Sequence, residues 1–289
     1  MPFIWNVVAE KAVIIGNRDL GSKVNIKNFY SISYPGYNEI FTGAADPFVS
    51  TNKKKRNKHI TLLEYLNHIS PYKDKVAAYT SWDVFPYILN EERSKIYVNS
   101  GYQAYNGKKL SHKQVYLNKI NNKAENADEP ERYDMLTFLM AKEFILKNQP
   151  KIFYLALGGT DSYGHQKNYD GYLEQAQLAD RIISDLWYFV QSMPAYRNNI
   201  TFVITTDHGR GRKPNTWYKH GFFVNGASQT WIAMIGNGVN AIGEHQSKKQ
   251  FLMTQLAGTI GVLTGVHSYK KRSLPSYFFK IPATDVVKK

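Results

Sequence analysis

Two short apolar runs rich in β-branched residues, "KIFYLAL" (151–157) and "ITFVITT" (200–206), flank a long stretch of helical periodicity at 169–193. No other feature constrains the fold as much. Strands that are apolar on both faces must be covered on both faces. The stretch between them carries one apolar stripe, at Leu173, Ala176, Leu178, Ile182, Leu186 and Phe189, and can supply that cover. A crossover of this kind is right-handed and brings its two strands near each other in one sheet. The expected architecture is therefore α/β, a mostly parallel central sheet with helices on both faces.

The alternation extends along the chain. Residues 3–15 fit a short amphipathic helix leading into a strand, and "VNIKNFYSIS" (24–33) reads as a strand. Pro35-Gly36 then reads as a turn, after which "YNEIFTG" begins a helix that Gly43 can end. Helical spacing recurs at 61–69 and 133–148, strands at 76–82 and 230–236, and a last helix near 248–264. Residues 86–130, rich in Asn, Lys and Tyr, break the pattern and read as an inserted cap segment in a single domain spanning 1–289. No internal repeat is visible.

Hydrophobic residues make up 43% of the 289, ample for a core, and no apolar run is long enough to span a membrane. The absence of cysteine removes thiolate zinc sites and cysteine nucleophiles. A formal charge of +14 favours anionic partners. Its densest run, "NKKKRNKH" (52–59), lacks interleaved aromatics, so it reads as a solvated loop and no specific nucleic-acid partner is expected.

The chemistry-bearing residues lie where the strands end. "ITFVITT" runs into Asp207-His208, and "KIFYLAL" runs into "GGTDSYGHQ", with Asp161 and His165 four apart. Strand ends are where α/β proteins build sites. Mixed carboxylate and imidazole donors suit zinc or manganese. His220, in "WYKHG", precedes the strand at 230–236 and makes a fifth candidate ligand; His59, His68, His112, His245 and His267 have no such context. Two close cations can clamp a phosphoryl group for in-line displacement. Ser33, held by "SYPG" ahead of a helix, offers the hydroxyl for that attack.

The order Ser33 in "SYPGYNEIFTG", then "TDSYGH", then "TTDHG", then "KHG", resembles the alkaline phosphatase superfamily. It is most similar to the branch of nucleotide pyrophosphatase/phosphodiesterases and sulfatase-like hydrolases. The resemblance implies that Asp161, His165 and His220 hold one zinc. It implies that Asp207, His208 and the Ser33 oxygen belong to a second, and that Ser33 passes through a phosphoseryl intermediate. The implied substrate is a small anionic phosphoric ester. Tyr37 stands where sulfatases carry an arginine after their serine and proline, which argues against that activity. Arg210 and Arg212 can grip a substrate phosphate or be surface charges, and Tyr37 and Asn38 can line the pocket or serve the core.

The family's usual first strand ends in an aspartate that completes the second metal site. Here Glu10 and Asp19 are the acids that precede Ser33, and neither follows a buried apolar run. That strand is expected upstream of Met1, leaving the second site incomplete; the alternative reading is a non-catalytic member that binds anions. No signal peptide is visible at "MPFIW", although relatives of this kind are commonly exported.

Overall fold

The computed structural model describes residues 1–106, 109–125, 131–266, 269 and 271–280. A π-helical turn at Ile4–Val8 passes into α1 (Ala9–Lys11), followed by β1 (Val13–Ile15), β2 (Lys23–Asn25) and α2 (Ser33–Thr42). Next come α3 (Leu62–Asn67), β3 (Val76–Thr80), α4 (Phe85–Ile88), α5 (Glu91–Ser94), β4 (Tyr97–Ser100), α6 (His112–Ala124) and α7 (Asp134–Asn148). They are followed by β5 (Ile152–Ala156), α8 (Gly159–His165), α9 (Tyr169–Ser192) and β6 (Thr201–Thr205). Then come β7 (Gln229–Thr230), β8 (Ile232–Gly236), β9 (Gly243–Glu244), β10 (Gln250–Leu252) and α10 (Gln255–Leu263), followed by a 3-10 turn at Ser276–Phe278. Among the described residues no helix is long and apolar enough to cross a membrane.

The chain divides into two compact units, one of Met1–Asn52 with Ile183–Lys289 and one of Lys53–Ile182. The first carries two mixed sheets. One has the order β6-β8-β1-β9, with β8 antiparallel to both β6 and β1; the other has the order β10-β2-β7. Its core gathers Phe3, Ile4, Val8, Ala12, Ile14, Ala233 and Ile235, with Ile183, Trp187, Phe202 and Ile204 packed against them. The second unit has one parallel sheet, β4-β3-β5. Tyr79 lies at its centre, its ring 5.2 Å from Phe144 and 5.8 Å from Phe153.

The α/β class stands, but the sheet is parallel throughout in one unit and mixed in the other. Within their units, β5 pairs with β3 and β6 with β8, and α9 runs from one unit at Ile182 into the other at Ile183.

Local readings differ for identifiable reasons. The strand expected over 24–33 stops at Asn25, because the backbone N–H groups of Lys27 and Asn28 donate to the buried Glu39 carboxylate. No turn forms at Pro35-Gly36. α2 already starts at Ser33, since a proline in the first helical turn sacrifices no intrahelical bond. The expected cap segment, 86–130, includes β4, which lies parallel to β3 in the sheet, and α6, begun by a Ser111–Gln114 capping box. The last helix is preceded by β10 and begins only at Gln255. In the basic run, Lys54 pairs with Asp83 and Arg56 with Glu92. His267 lies outside the described residues.

Candidate functional site

In the unit of Met1–Asn52 and Ile183–Lys289, Ser33 opens α2 and Asp207-His208 follows β6. These two chain segments touch at Gly36. A Cβ there would sit 2.4 Å from the Asp207 carbonyl oxygen, so only glycine lets the first turn of α2 come so close. Ser33 Oγ lies 3.3 Å from His208 Nε2, and Asp207 Oδ2 lies 3.5 Å from the same nitrogen. The His208 side chain is almost fully buried, and Asp207 is 16% exposed.

Two imidazoles of this unit, His208 and His220, have a carbonyl beside Nδ1 that orients the ring. His208 Nδ1 lies 3.0 Å from the Gly209 carbonyl and His220 Nδ1 lies 3.1 Å from the Ser31 carbonyl. A carbonyl can only accept, so each Nδ1 carries the proton and donates it. In the neutral ring Nε2 is then the nitrogen that can bind a metal. The two rings stack, 4.1 Å between centroids and 17° between planes.

The carbonyl that orients His220 is itself held through a chain of bonds. Ser31 is buried with a left-handed φ of 49°. Its N–H donates to Asn28 Oδ1 (3.0 Å), and the Asn28 N–H and side-chain amide donate to Glu39 Oε2 (2.9 and 3.1 Å). Burial raises the Glu39 pKa, and the hydrogen bonds from Asn28 and Lys27 oppose that shift. Glu39 was invisible in the sequence because it sits on a helix beside apolar residues, and its partners lie on a preceding loop.

The candidate substrate residues are less concentrated. An Arg210 guanidinium N–H donates to the Tyr218 carbonyl at 2.6 Å. Tyr37 stacks on Phe41, and Asn38, fully buried, donates to the Ala44 carbonyl at 3.3 Å. Ahead of Ser33, Glu10 and Asp19 are exposed, and β1 is followed by Gly16 and Asn17.

In the unit of Lys53–Ile182, Asp161 and His165 lie on α8, a helical turn and not the expected loop. Their i,i+4 spacing puts Asp161 Oδ2 3.0 Å from His165 Nε2. Two carboxylates that the sequence reading missed hold this turn. Asp134 accepts from the N–H groups of Gly158 (2.8 Å) and Gly159 (2.9 Å) and from Ser81 Oγ (2.6 Å). Glu131 accepts from Ser162 Oγ at 2.5 Å. A Cβ at Gly158 would lie 2.5 Å from Glu131 Oε2, so the glycine admits the carboxyl. Burial pushes the Glu131 pKa up to about 7; the Ser162 bond lowers it, and the Asp161 and Asp134 charges raise it further. The only signal available in the sequence was the acidic spacing of "ERYD" (131–134) before a helix.

The sequence model of the type I phosphodiesterases / nucleotide pyrophosphatases matches residues 8–257. A comparison with the sequences of curated proteins finds no match. Among solved structures, the alkaline phosphatase PafA is similar at 12% identity, with 94% of this chain and 93% of that one covered and a TM-score of 0.66. The phosphonate monoester hydrolase SpPMH from Silicibacter pomeroyi is similar at 13% identity, covering 97% and 72%, with a TM-score of 0.60. BT1596, a 2-O GAG sulfatase, is similar at 12% identity, covering 92% and 66%, with a TM-score of 0.57. At such identities the likeness concerns the fold.

Proposed function

Because the chain belongs to the type I phosphodiesterase / nucleotide pyrophosphatase family, within the alkaline phosphatase superfamily, we propose that it is a metal-dependent phosphoric ester hydrolase with Ser33 as nucleophile. The observation that carries this reading is the approach of Ser33 Oγ to the buried His208 ring, 3.3 Å from Nε2, with the Asp207 carboxylate 3.5 Å from the same nitrogen.

Asp161, His165 and His220, each offering one donor atom, are assigned to one divalent ion. Asp207, His208 and Ser33 Oγ are assigned to a second. Two carboxylates and three imidazoles form a nitrogen and oxygen donor set that suits zinc, with manganese as the other candidate. Bound ions would supply charge neutralisation at the phosphoryl group and a lowered pKa for the serine hydroxyl.

The protein's own groups have defined tasks. The Gly36 contact and the His208 ring fix the position of Ser33. Its Oγ forms a bond to phosphorus as the ester P–O bond breaks, and the alcohol leaves with a proton. Water then hydrolyses the phosphoseryl group and restores Ser33. Arg210, one of whose N–H groups donates to the Tyr218 carbonyl, is assigned to gripping a phosphate oxygen. Tyr37 and Asn38 lie on the same helix as Ser33 and are assigned to its surroundings. The substrate is a small anionic phosphoric ester.

A second reading, a non-catalytic anion-binding member, is favoured by one observation. β1 is not followed by an acid, and both acids ahead of Ser33 are exposed, so the second ion has few carboxylate donors. Metal content after zinc loading, together with hydrolysis of an aryl phosphodiester, separates the two readings. The hydrolase reading expects two ions per chain and turnover, with Ser33→Ala losing at least about a thousandfold in kcat while keeping the metal of Asp161, His165 and His220. One ion or none, with no turnover, would leave the second reading.

A further inference from the structure

The unit of Met1–Asn52 and Ile183–Lys289 leaves large apolar rings in solvent. Phe48 and Phe223 are 92% and 93% exposed, Phe29 70% and Phe222 55%. They sit on three chain segments that meet. The Tyr30 hydroxyl donates to the Pro47 carbonyl at 2.5 Å, which joins the segment of Phe29 to that of Phe48. His220 Nδ1 lies 3.1 Å from the Ser31 carbonyl, and a Cβ on Gly221 would lie 3.9 Å from the Tyr30 carbonyl oxygen. Those contacts bring in Phe222 and Phe223, whose ring centroids are 4.0 Å apart.

The two most exposed rings stand on tight turns. Asp46 closes the first: its side chain accepts from the Phe48 N–H (2.8 Å) and its carbonyl from the Val49 N–H (3.2 Å). In the second, the Val224 N–H donates to the Gly221 carbonyl at 3.2 Å, and Phe223, the third residue, has a φ of 68°. Glycine is the usual occupant of such a position, because a bulky side chain is strained there. Strain of this kind clusters at functional sites. Here it holds a phenyl ring clear of the protein surface. The same segments are basic. Lys27, Arg212, Lys213 and Lys219 are all exposed, against the single acid Asp46 across 27–30, 46–49 and 211–224.

We propose that this face docks on the surface of an anionic lipid bilayer, with the four phenyl rings in the interfacial layer and the four cations against lipid phosphates. Exposed apolar patches mark interaction surfaces. A protein partner would need a shaped pocket for each ring on its separate turn, whereas a fluid interface receives separate rings without one. The excess of cations selects a surface of negative charge, and the net charge of +14 draws the whole chain towards it. The face includes the segment that leads into Ser33 at the start of α2. On the hydrolase reading, the ester substrate would then come from the headgroup layer; the docking itself does not rest on that reading.

The test is binding of the full chain to vesicles of phosphatidylcholine, with and without about one-third phosphatidylglycerol. Binding should require the anionic lipid and weaken between about 50 and 500 mM salt. Net charge alone would give that much, so the deciding variant is Phe48→Ser with Phe223→Gly, which leaves every charge in place. It should bind at least about tenfold more weakly, because less apolar area enters the interface. Its thermal midpoint should not fall, since glycine takes the Phe223 conformation without strain. Phe223→Trp should add a blue-shifted emission on vesicles that lipids brominated in their acyl chains quench. No binding to anionic vesicles, equal binding by the double variant, or no added blue shift would overturn the proposal. A dimer in solution that the double variant abolishes would assign the rings to a second copy and overturn it as well. Vesicle binding is read without turnover, so its failure and that of the hydrolase reading are distinguishable.

Discussion

Glu131 holds a proton at a pH where an ordinary carboxyl has lost it. Its carboxyl keeps a proton up to about pH 7, against 4.5 for the unperturbed group, because burial penalises the charge. Between those values the native state binds more protons than the unfolded one. The stability this group supports is thus fully present below about pH 4.5 and is lost as pH rises through 7, about 3 kcal/mol in all. In metal-free protein, Glu131→Gln should flatten the fall of urea midpoint between about pH 5 and 8; parallel curves for parent and variant would disprove the assignment. Gly36 makes a second prediction at this scale. Alanine in a helix is ordinarily better than glycine by about 1 kcal/mol. Here the added methyl meets the Asp207 carbonyl at 2.4 Å, so Gly36→Ala should instead destabilise by about 1–3 kcal/mol and shift Ser33 against His208. Thermal unfolding gives the sign directly.

α8 is only seven residues long and owes its place to a clamp and not to its own propensity. Asp134 receives three hydrogen bonds while buried, two of them from the backbone that starts this helix. Asp134→Ala would take their partner from two backbone N–H groups, while Ser81 Oγ keeps Thr137 Oγ1 at 2.9 Å, at a cost of about 3 kcal/mol. Metal affinity of the Asp161–His165 pair should fall with it, while Asp134→Asn should keep part of both. Calorimetric zinc titration beside urea unfolding separates loss of the clamp from loss of the fold. α2 is the opposite case. It is capped at its far end by Gly43 in the left-handed conformation, whose N–H donates to the Glu39 backbone carbonyl, and its first turn tolerates Pro35. Its boundaries follow from local chemistry, and only the competing turn signal of Pro-Gly hid its first turn.

For the whole molecule, a charge of +14 acts at a distance on any anionic ester. kcat/KM should fall several-fold between about 50 and 500 mM salt, with kcat little changed, as the field is screened; a salt-independent kcat/KM would count against steering. The α/β class, the apolar strands and the two Asp-containing strand ends follow from the sequence alone, because burial on both faces and strand-end chemistry leave a local pattern in residue type. The family match over 8–257 agrees with that reading. The partition into two units, the mixed ladders, and the carboxylates Glu39, Glu131 and Asp134 follow from tertiary structure. Ser81 reaches Asp134 across 53 residues and Gly158 reaches it across 24. An acid's role is set by the donors that converge on it, and distance along the chain erases that convergence from any local pattern. Strand pairing is hidden for the same reason. "TFVIT" reads as a buried strand whichever neighbours it has, and only the hydrogen-bond ladder shows that it runs antiparallel to β8.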